Sequence, residues 1–235
     1  HIAAALTFEL SKVEIPVIRE RMISHLLNID ETLATTVSQK LGIKKMPKPA
    51  DAAVPTRQDL EPSPALSIIE NGPQRFEGRK LGILVTDGVD ASLLKGLTDA
   101  IIKEKGVVEL IAPKVGGVEA SDGSWIEAQH MIDGGPSVLF DAVAILTSTN
   151  AIDDVVNEAT ARDFVADAFQ HCKFIGYDQS ALPLLEKAGI ADLDEGVLAL
   201  PGEDGLSAFV SELGKLRVWG REPSVKLGKA SPPVK

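Results

Sequence analysis

One cysteine, Cys172, stands in the whole sequence, so no disulfide can close within the chain and no cysteine-rich metal site can form. Aromatic residues are also scarce, at 4%, which leaves aliphatic side chains to fill any core. Positive charge is outweighed: 24 Lys and Arg face 34 Asp and Glu, a formal charge of −10. That balance excludes a nucleic-acid partner, whose phosphates require basic residues to displace their counterions. No apolar run approaches the roughly 20 residues needed to span a bilayer, so no membrane partner is expected. The four histidines, His1, His25, His130 and His171, show no i, i+4 spacing, and no metal site is expected. A G-x-G-x-x-G fingerprint is missing as well, which removes the simplest dinucleotide reading. The first residues, HIAAALTFELSKV, lack an initiator Met, a basic leader and a cleavage motif, and begin inside an apolar periodic pattern. The expectation is a fragment of a longer soluble protein, with its compartment, cytoplasmic or secreted, left open.

What is present divides into zones of different texture. Residues 1–43 read as three amphipathic helices. Leu6, Leu10 and Val13 repeat at helical spacing, and Pro16 opens the second helix at a tolerated first-turn position. Ile18, Met22, Leu26 and Ile29 suggest its apolar stripe; Asp30 is placed to cap the third helix and Gly42 to end it. Residues 44–79, rich in proline and mixed charge, read as a linker. Residues 80–221 alternate strands that are apolar on both faces (KLGILVT, VVELIAP, DAVAILTS, KFIGYD) with amphipathic helices. NEATARDFVADAFQHC reads as one such helix, EDGLSAFVSELGKLRVW as the last. This is the pattern of an α/β domain with a doubly wound parallel sheet, interrupted by a small hairpin insertion, KVGGVEASDGSWIEA. Residues 222–235 form a tail. The RER run at Arg19–Arg21 reads as a solvated or partner-facing surface, and Trp125 and Trp219 as packing anchors.

Chemistry in such a sheet gathers at the carboxyl ends of the strands. Those positions carry Thr86, Asp87 and Gly88, then Thr147, Ser148, Thr149 and Asn150, then Asp178, Gln179 and Ser180. A phosphate loop is disfavoured because Asp87 and Asp90 stand where the anion would sit, and Asp90 fits a helix N-cap. Gln179 cannot be a nucleophile. Ser180 could be, but no histidine falls nearby to activate it, and it reads as the cap of the helix ALPLLEKAG. His171 and Cys172 precede the strand KFIGYD and so belong to the opposite edge of the sheet. As neighbours on an extending strand they would point to opposite faces, and Cys172 reads as a buried, inert thiol.

FELSKVEIPVIRERMISHLLNID resembles the last helices of the haem catalase core in large-subunit (long-chain, clade 2) catalases, and RVWGREP, Arg217 to Pro223, resembles their closing motif. The order of helices, proline-bearing linker and flavodoxin-like domain matches that family along nearly the whole chain, with a fungal or bacterial member expected. The resemblance implies a homotetrameric parent that binds haem and converts hydrogen peroxide to water and oxygen. The family's distal histidine and asparagine lie upstream of this sequence, and its proximal tyrosine sits in an Arg-rich helix. Tyr177, the one tyrosine here, has no such context, so no haem residue carries over.

The C-terminal domain is similar to the class I amidotransferase superfamily. Its elbow pattern places Gln179 at the nucleophile cysteine and Ser180 at the histidine, while the acidic partner falls near Leu93, close to Asp90. The catalytic positions are therefore expected to be vestigial. The resemblance implies a non-catalytic, stabilising domain with holdase-type chaperone activity, whose partners are the catalase core, sister subunits and unfolded client proteins. Two alternatives stand beside it: a residual hydrolase or amidotransferase, or a small-ligand or peroxide-handling pocket formed by Asp87, Gly88, Ser148, Thr149, Asn150 and Gln179.

Overall fold

The computed structural model describes residues 2–57 and 59–225, in two units divided between Leu66 and Ser67. Of the tail expected at 222–235, residues 226–235 lie outside the described residues, as does His1.

The first unit holds helices α1 (Ile2–Ser11), α2 (Pro16–Leu26) and α3 (Glu31–Lys40). Pro16 opens α2 where its missing N–H costs nothing, and the Asp30 carboxylate accepts the Leu33 N–H at 2.6 Å to cap α3. Gly42 ends α3 at φ +70°, and the Ile43 N–H returns to the Ser38 carbonyl at 3.0 Å. The core of this unit is Leu10, Ile23, Leu26, Ala34 and Val37. The expected stripe on α2 is corrected here: Ile18, Met22 and Ile29 are exposed, and Ile23 joins Leu26 inside. Both faces of α2 are apolar, and spacing alone does not say which one is covered. Arg19 is likewise not a free surface charge. It donates to the carbonyls of Val13 (2.7 Å) and Ser11 (2.9 Å), which ties the α1–α2 connection to α2.

The second unit opens with a short helix, α4 (Ile68–Asn71), capped by Ser67; Phe76 then enters the core at 2% exposure. Its sheet contains β1 (Lys80–Val85), β2 (Val107–Ala112), β5 (His130–Met131), β6 (Ala142–Leu146), β7 (Ile175–Tyr177) and β8 (Val197–Ala199). The order is β5-β2-β1-β6-β7-β8, and every recorded pairing is parallel. Without the two-residue edge strand β5, this is the 2-1-3-4-5 order of a flavodoxin-like doubly wound sheet. The topological switch falls between β1 and β6.

Alternating strand residues supply two cores. Leu81, Ile83 and Val85 pack with α5 (Ala91–Lys103) and α9 (Glu203–Glu212); Leu84, Val143, Ile145 and Ile175 pack with α6 (Ile152–Asn157), α7 (Ala159–Gln170) and α8 (Leu182–Lys187). Gly82 on β1 admits Phe140, since an added Cβ would stand 2.4 Å from its ring. The expected hairpin forms from β3 (Val118–Glu119) and β4 (Trp125–Ile126), paired antiparallel.

Several expectations change. The helix read through NEATARDFVADAFQHC is α7 from Ala159 on; extended backbone at Glu158, ψ 125°, separates it from α6, a short helix not expected from the sequence. His171 and Cys172 are not on an extending strand. They form the C-terminal turn of α7, with Cys172 at φ +56° and the Lys173 N–H returning to Ala168 O at 3.0 Å. Trp125 is 59% exposed, with the Lys114 ammonium 5.9 Å from its ring, and so does not anchor packing. Trp219 begins a short 3-10 turn after α9 rather than ending that helix.

Two further features frame the sheet. Beyond the short pairing of β5, Gln129 occupies the outer edge of β2: its side-chain oxygen accepts the Leu110 N–H (2.7 Å) and its own N–H donates to the Leu110 carbonyl (3.0 Å). At the other end of the chain, Arg221 is buried. It forks onto Asp194 at 2.6 and 2.7 Å, donates to Lys173 O at 2.7 Å, and lies 4.2 Å over the Phe169 ring. The closing motif is thereby stitched to α7 and β7.

Candidate functional site

The carboxyl ends of β1, β6, β7 and β8 surround an open cleft of about 840 Å³. Gly88, Ser148, Thr149, Gln179 and Ser180 line it, together with Asp178 and, from the segment after β8, Pro201. Asp87 and Asn150 line an adjoining cleft of about 520 Å³, which shares Gly88 and Ser148 with the first and is walled by Trp125 and Lys114. The six pocket residues expected from sequence are thus spread over two neighbouring depressions. Contributions after β8 were missed because β8 itself was missed; the signal was the short run VLAL followed by Pro201 and Gly202.

The switch-point loops are bonded to each other. Gly88 turns at φ +82°, where a side chain would be strained and would meet Ser148 at 3.0 Å. Both Ser148 donors are committed: its N–H donates to Thr86 Oγ1 (3.0 Å) and its hydroxyl to Asp87 O (2.6 Å). Asp87 is turned away from the switch point, toward the hairpin. Its carboxylate receives Lys114 Nζ and the Glu119 N–H, both at 2.9 Å. Those two bonds, Lys114 first, hold the Asp87 carboxyl below its ordinary value. Asp90 caps α5 by accepting the Leu93 N–H at 2.9 Å, as its position implied.

After β7 the structure corrects the sequence reading. Asp178, not Ser180, is the cap: its carboxylate accepts the Ala181 N–H at 3.0 Å. The same carboxylate takes the Thr147 N–H (2.9 Å) and the Ser180 hydroxyl (2.8 Å). Thr147 and Ser180 hydroxyls meet at 2.7 Å; because Ser180 gives its proton to Asp178, Thr147 is the donor between them. Burial raises the Asp178 carboxyl above its ordinary value, and its bonds from Ser180, Thr147 and Ala181 oppose that shift. Ser180 therefore has its proton and a lone pair committed, in a half-buried position, while Gln179 is exposed. No histidine lines either depression among the described residues. Cys172 is at the far end of β7, fully buried, and burial pushes its thiol up, away from a reactive thiolate.

The sequence matches the family model described as the C-terminal domain found in long catalases over residues 77–223, and a second model, catalase-related immune-responsive, over residues 1–41. The chain belongs to the C-terminal domain family of long catalases. It is 68% identical over 228 residues to Catalase C of Rhizobium meliloti, covering 97% of this chain and 32% of that one. Catalase HPII of Mycobacterium avium is 34% identical over 192 residues (81% of this chain, 26% of the relative), and Catalase HPII of Pseudomonas aeruginosa 34% over 227 (96% and 31%). The chain thus spans about a third or less of the length of these curated relatives.

Tyr177 is a sheet residue, 7% exposed and packed in the core beneath α7 and α8, and it lines neither depression. Among the described residues no helix is long and apolar enough to cross a membrane.

Proposed function

We propose that this chain is a non-catalytic part of a longer, homotetrameric haem catalase that decomposes hydrogen peroxide, and that it acts there as a stabilising and holdase-type module. The observation that carries the reading is the corner after β7. Where an α/β enzyme of this shape places an activated nucleophile, there is an exposed Gln179, followed by a Ser180 whose hydroxyl is spent on Asp178 and Thr147. A carboxylate that caps a helix turn and binds a neighbouring amide is organised for the fold. The holdase component draws on the first unit, where Ile2, Phe8, Ile15, Val17 and Ile29 are all more than half exposed. Apolar surface of this kind fits either the rest of a parent protein or the exposed segments of an unfolded client. The net charge of −10 favours solubility of such complexes.

An aggregation assay with a heat-labile client tests this directly. The 235-residue chain should suppress client light scattering near a one-to-one ratio, and a version starting at Ser67, which keeps Phe76 in the second unit's core, should lose that activity. Absence of suppression by the whole chain removes the holdase reading. The enzymatic alternative has its own assay: turnover of a thioester or glyoxal that is abolished by Ser180→Ala would establish a residual hydrolase, and none is expected. The ligand alternative rests on the two adjoining depressions and calls for a thermal-shift screen of small polar molecules, where a saturable rise would favour it.

A further inference from the structure

The amino ends of the strands, opposite the clefts, gather positive charge from Arg79, Lys173 and Arg217, with Asp141 and Asp167 as the carboxylates that act on it among the described residues. Arg79 stands immediately before β1. Its guanidinium makes no hydrogen bond among the described residues, and its Nη1 is completely covered. Arg217 is half-buried and uses Nη1 on two carbonyl oxygens, Asp141 at 3.0 Å and Leu216 at 2.7 Å. Lys173, 3% exposed, directs its ammonium to the carbonyls of Ser137 and Phe140, both at 2.6 Å. The adjacent carboxylate, Asp141, spends Oδ2 on the Lys80 N–H at 2.9 Å. Because the Lys80 carbonyl also accepts the Asp141 N–H, Arg79 and Arg217 flank the same backbone junction between β1 and β6.

Backbone geometry marks the same place. Leu216 adopts φ +71°, ψ −47°, and the Arg217 N–H bonds to Lys215 O at 2.9 Å. That is a γ-turn of the rare positive-φ kind, strained for a residue with a side chain. Strain of this sort persists where the surrounding structure holds a group in a required position, and the group that follows is Arg217. Electrostatics agrees with the geometry. Burial lowers the Arg217 guanidinium from its ordinary value, with Asp141 pulling the other way and Arg79 adding to the fall. Burial, then Arg217, lowers Lys173 to about 8.

We propose that Arg79 and Arg217 form a binding site for one small oxyanion of the phosphate class. Two guanidiniums offer planar pairs of N–H donors to a tetrahedral anion, and a double negative charge offsets both. The unused donors of Arg79 then gain acceptors, and the charged form of Lys173 gains a counter-charge. A carboxylate offers the same chemistry with one charge, so the test distinguishes the two.

Thermal unfolding of the whole 235-residue chain in inorganic phosphate, sulfate, acetate and chloride at matched ionic strength and pH 7 is the experiment. Phosphate should raise the Tm saturably, chloride should not, and Arg79→Gln should remove at least half of the rise. Arg79 makes no hydrogen bond in the fold, so that variant is expected to fold. Titration of the Lys173 ammonium by NMR supplies a second readout: its midpoint should move upward when phosphate is added to the wild type and stay in place in Arg79→Gln. Acetate acting as strongly as phosphate supports oxyanion recognition and identifies a carboxylate as sufficient. Equal responses to chloride and phosphate, or an undiminished phosphate response in Arg79→Gln, overturn the proposal.

Discussion

The two ends of the parallel sheet handle buried charge in opposite ways. At the carboxyl ends, Asp178 is satisfied by amide and hydroxyl donors: Thr147 at the end of the neighbouring strand, and Ser180 and Ala181 within three residues. At the amino ends, Lys173 rests on carbonyl oxygens alone, while Arg221 finds its carboxylate on Asp194, 27 residues away in sequence. The first arrangement is a helix-turn cap that happens to line a cleft. The second pairs one cation with a carboxylate and rests others on carbonyl oxygens, with Arg79 Nη1 left without a partner among the described residues. In this domain the end where enzymes of the same architecture keep reactive groups free has its buried carboxylate bonded, and the buried side-chain atoms without a partner among the described residues, Arg79 Nη1 and Ser137 Oγ, lie at the other end.

The largest effect is expected from breaking the Arg221–Asp194 ion pair. Arg221→Ala leaves Asp194 partly buried without its partner and should cost about 3–5 kcal/mol in urea unfolding. A loss comparable to that of an exposed surface pair would erase the contrast between the two ends. Next comes Asp178→Ala, which orphans the Thr147 N–H, leaves the Ala181 N–H only its bond to the Asp178 carbonyl, and should cost about 2–3 kcal/mol.

Lys173 supplies a pH test. Its folded-state value of about 8 lies below the ordinary 10.5, so between those limits the unfolded chain binds more protons than the folded one. Stability contributed by this residue therefore rises with pH through that window, by at most about 1.4 kcal/mol per pH unit. Lys173→Met should flatten the slope, measured as urea midpoints from pH 7.5 to 10.5. Smallest is Ser180→Ala. The Thr147 hydroxyl, 3.4 Å from Asp178 Oδ1, can turn to replace the lost donor, and the cost should stay below about 1 kcal/mol.

Much of the scaffold was legible because its strands are buried on both faces. KLGILV and AVAIL are unbroken apolar runs, and each sits in the centre of the sheet. His130–Met131 and Val197–Ala199 were not legible, since strands of two or three residues exist only through the neighbour that pairs with them. At the cleft, Asp178 and Ser180 are both good capping residues two positions apart. Which one caps depends on where the turn leaves extended backbone, and Asp178, at φ −91° and ψ 166°, is that residue. On α2 both faces carried aliphatic residues, so the covered face followed from contacts with α1 and α3. The burial of Arg221 depended on Asp194, and nothing within the closing motif encodes that partner.

Gln129 has a consequence for the chain in crowded company. By closing the Leu110 amide and carbonyl with one residue, it ends the ladder on the outer side of β2 just beyond the two residues paired to β5. An open parallel edge there would offer a template on which the same edge of a second copy could dock. A side-chain amide, bonded to the strand yet unable to pass the ladder onward, works as a stopper. Many copies held close together can then remain separate folded units.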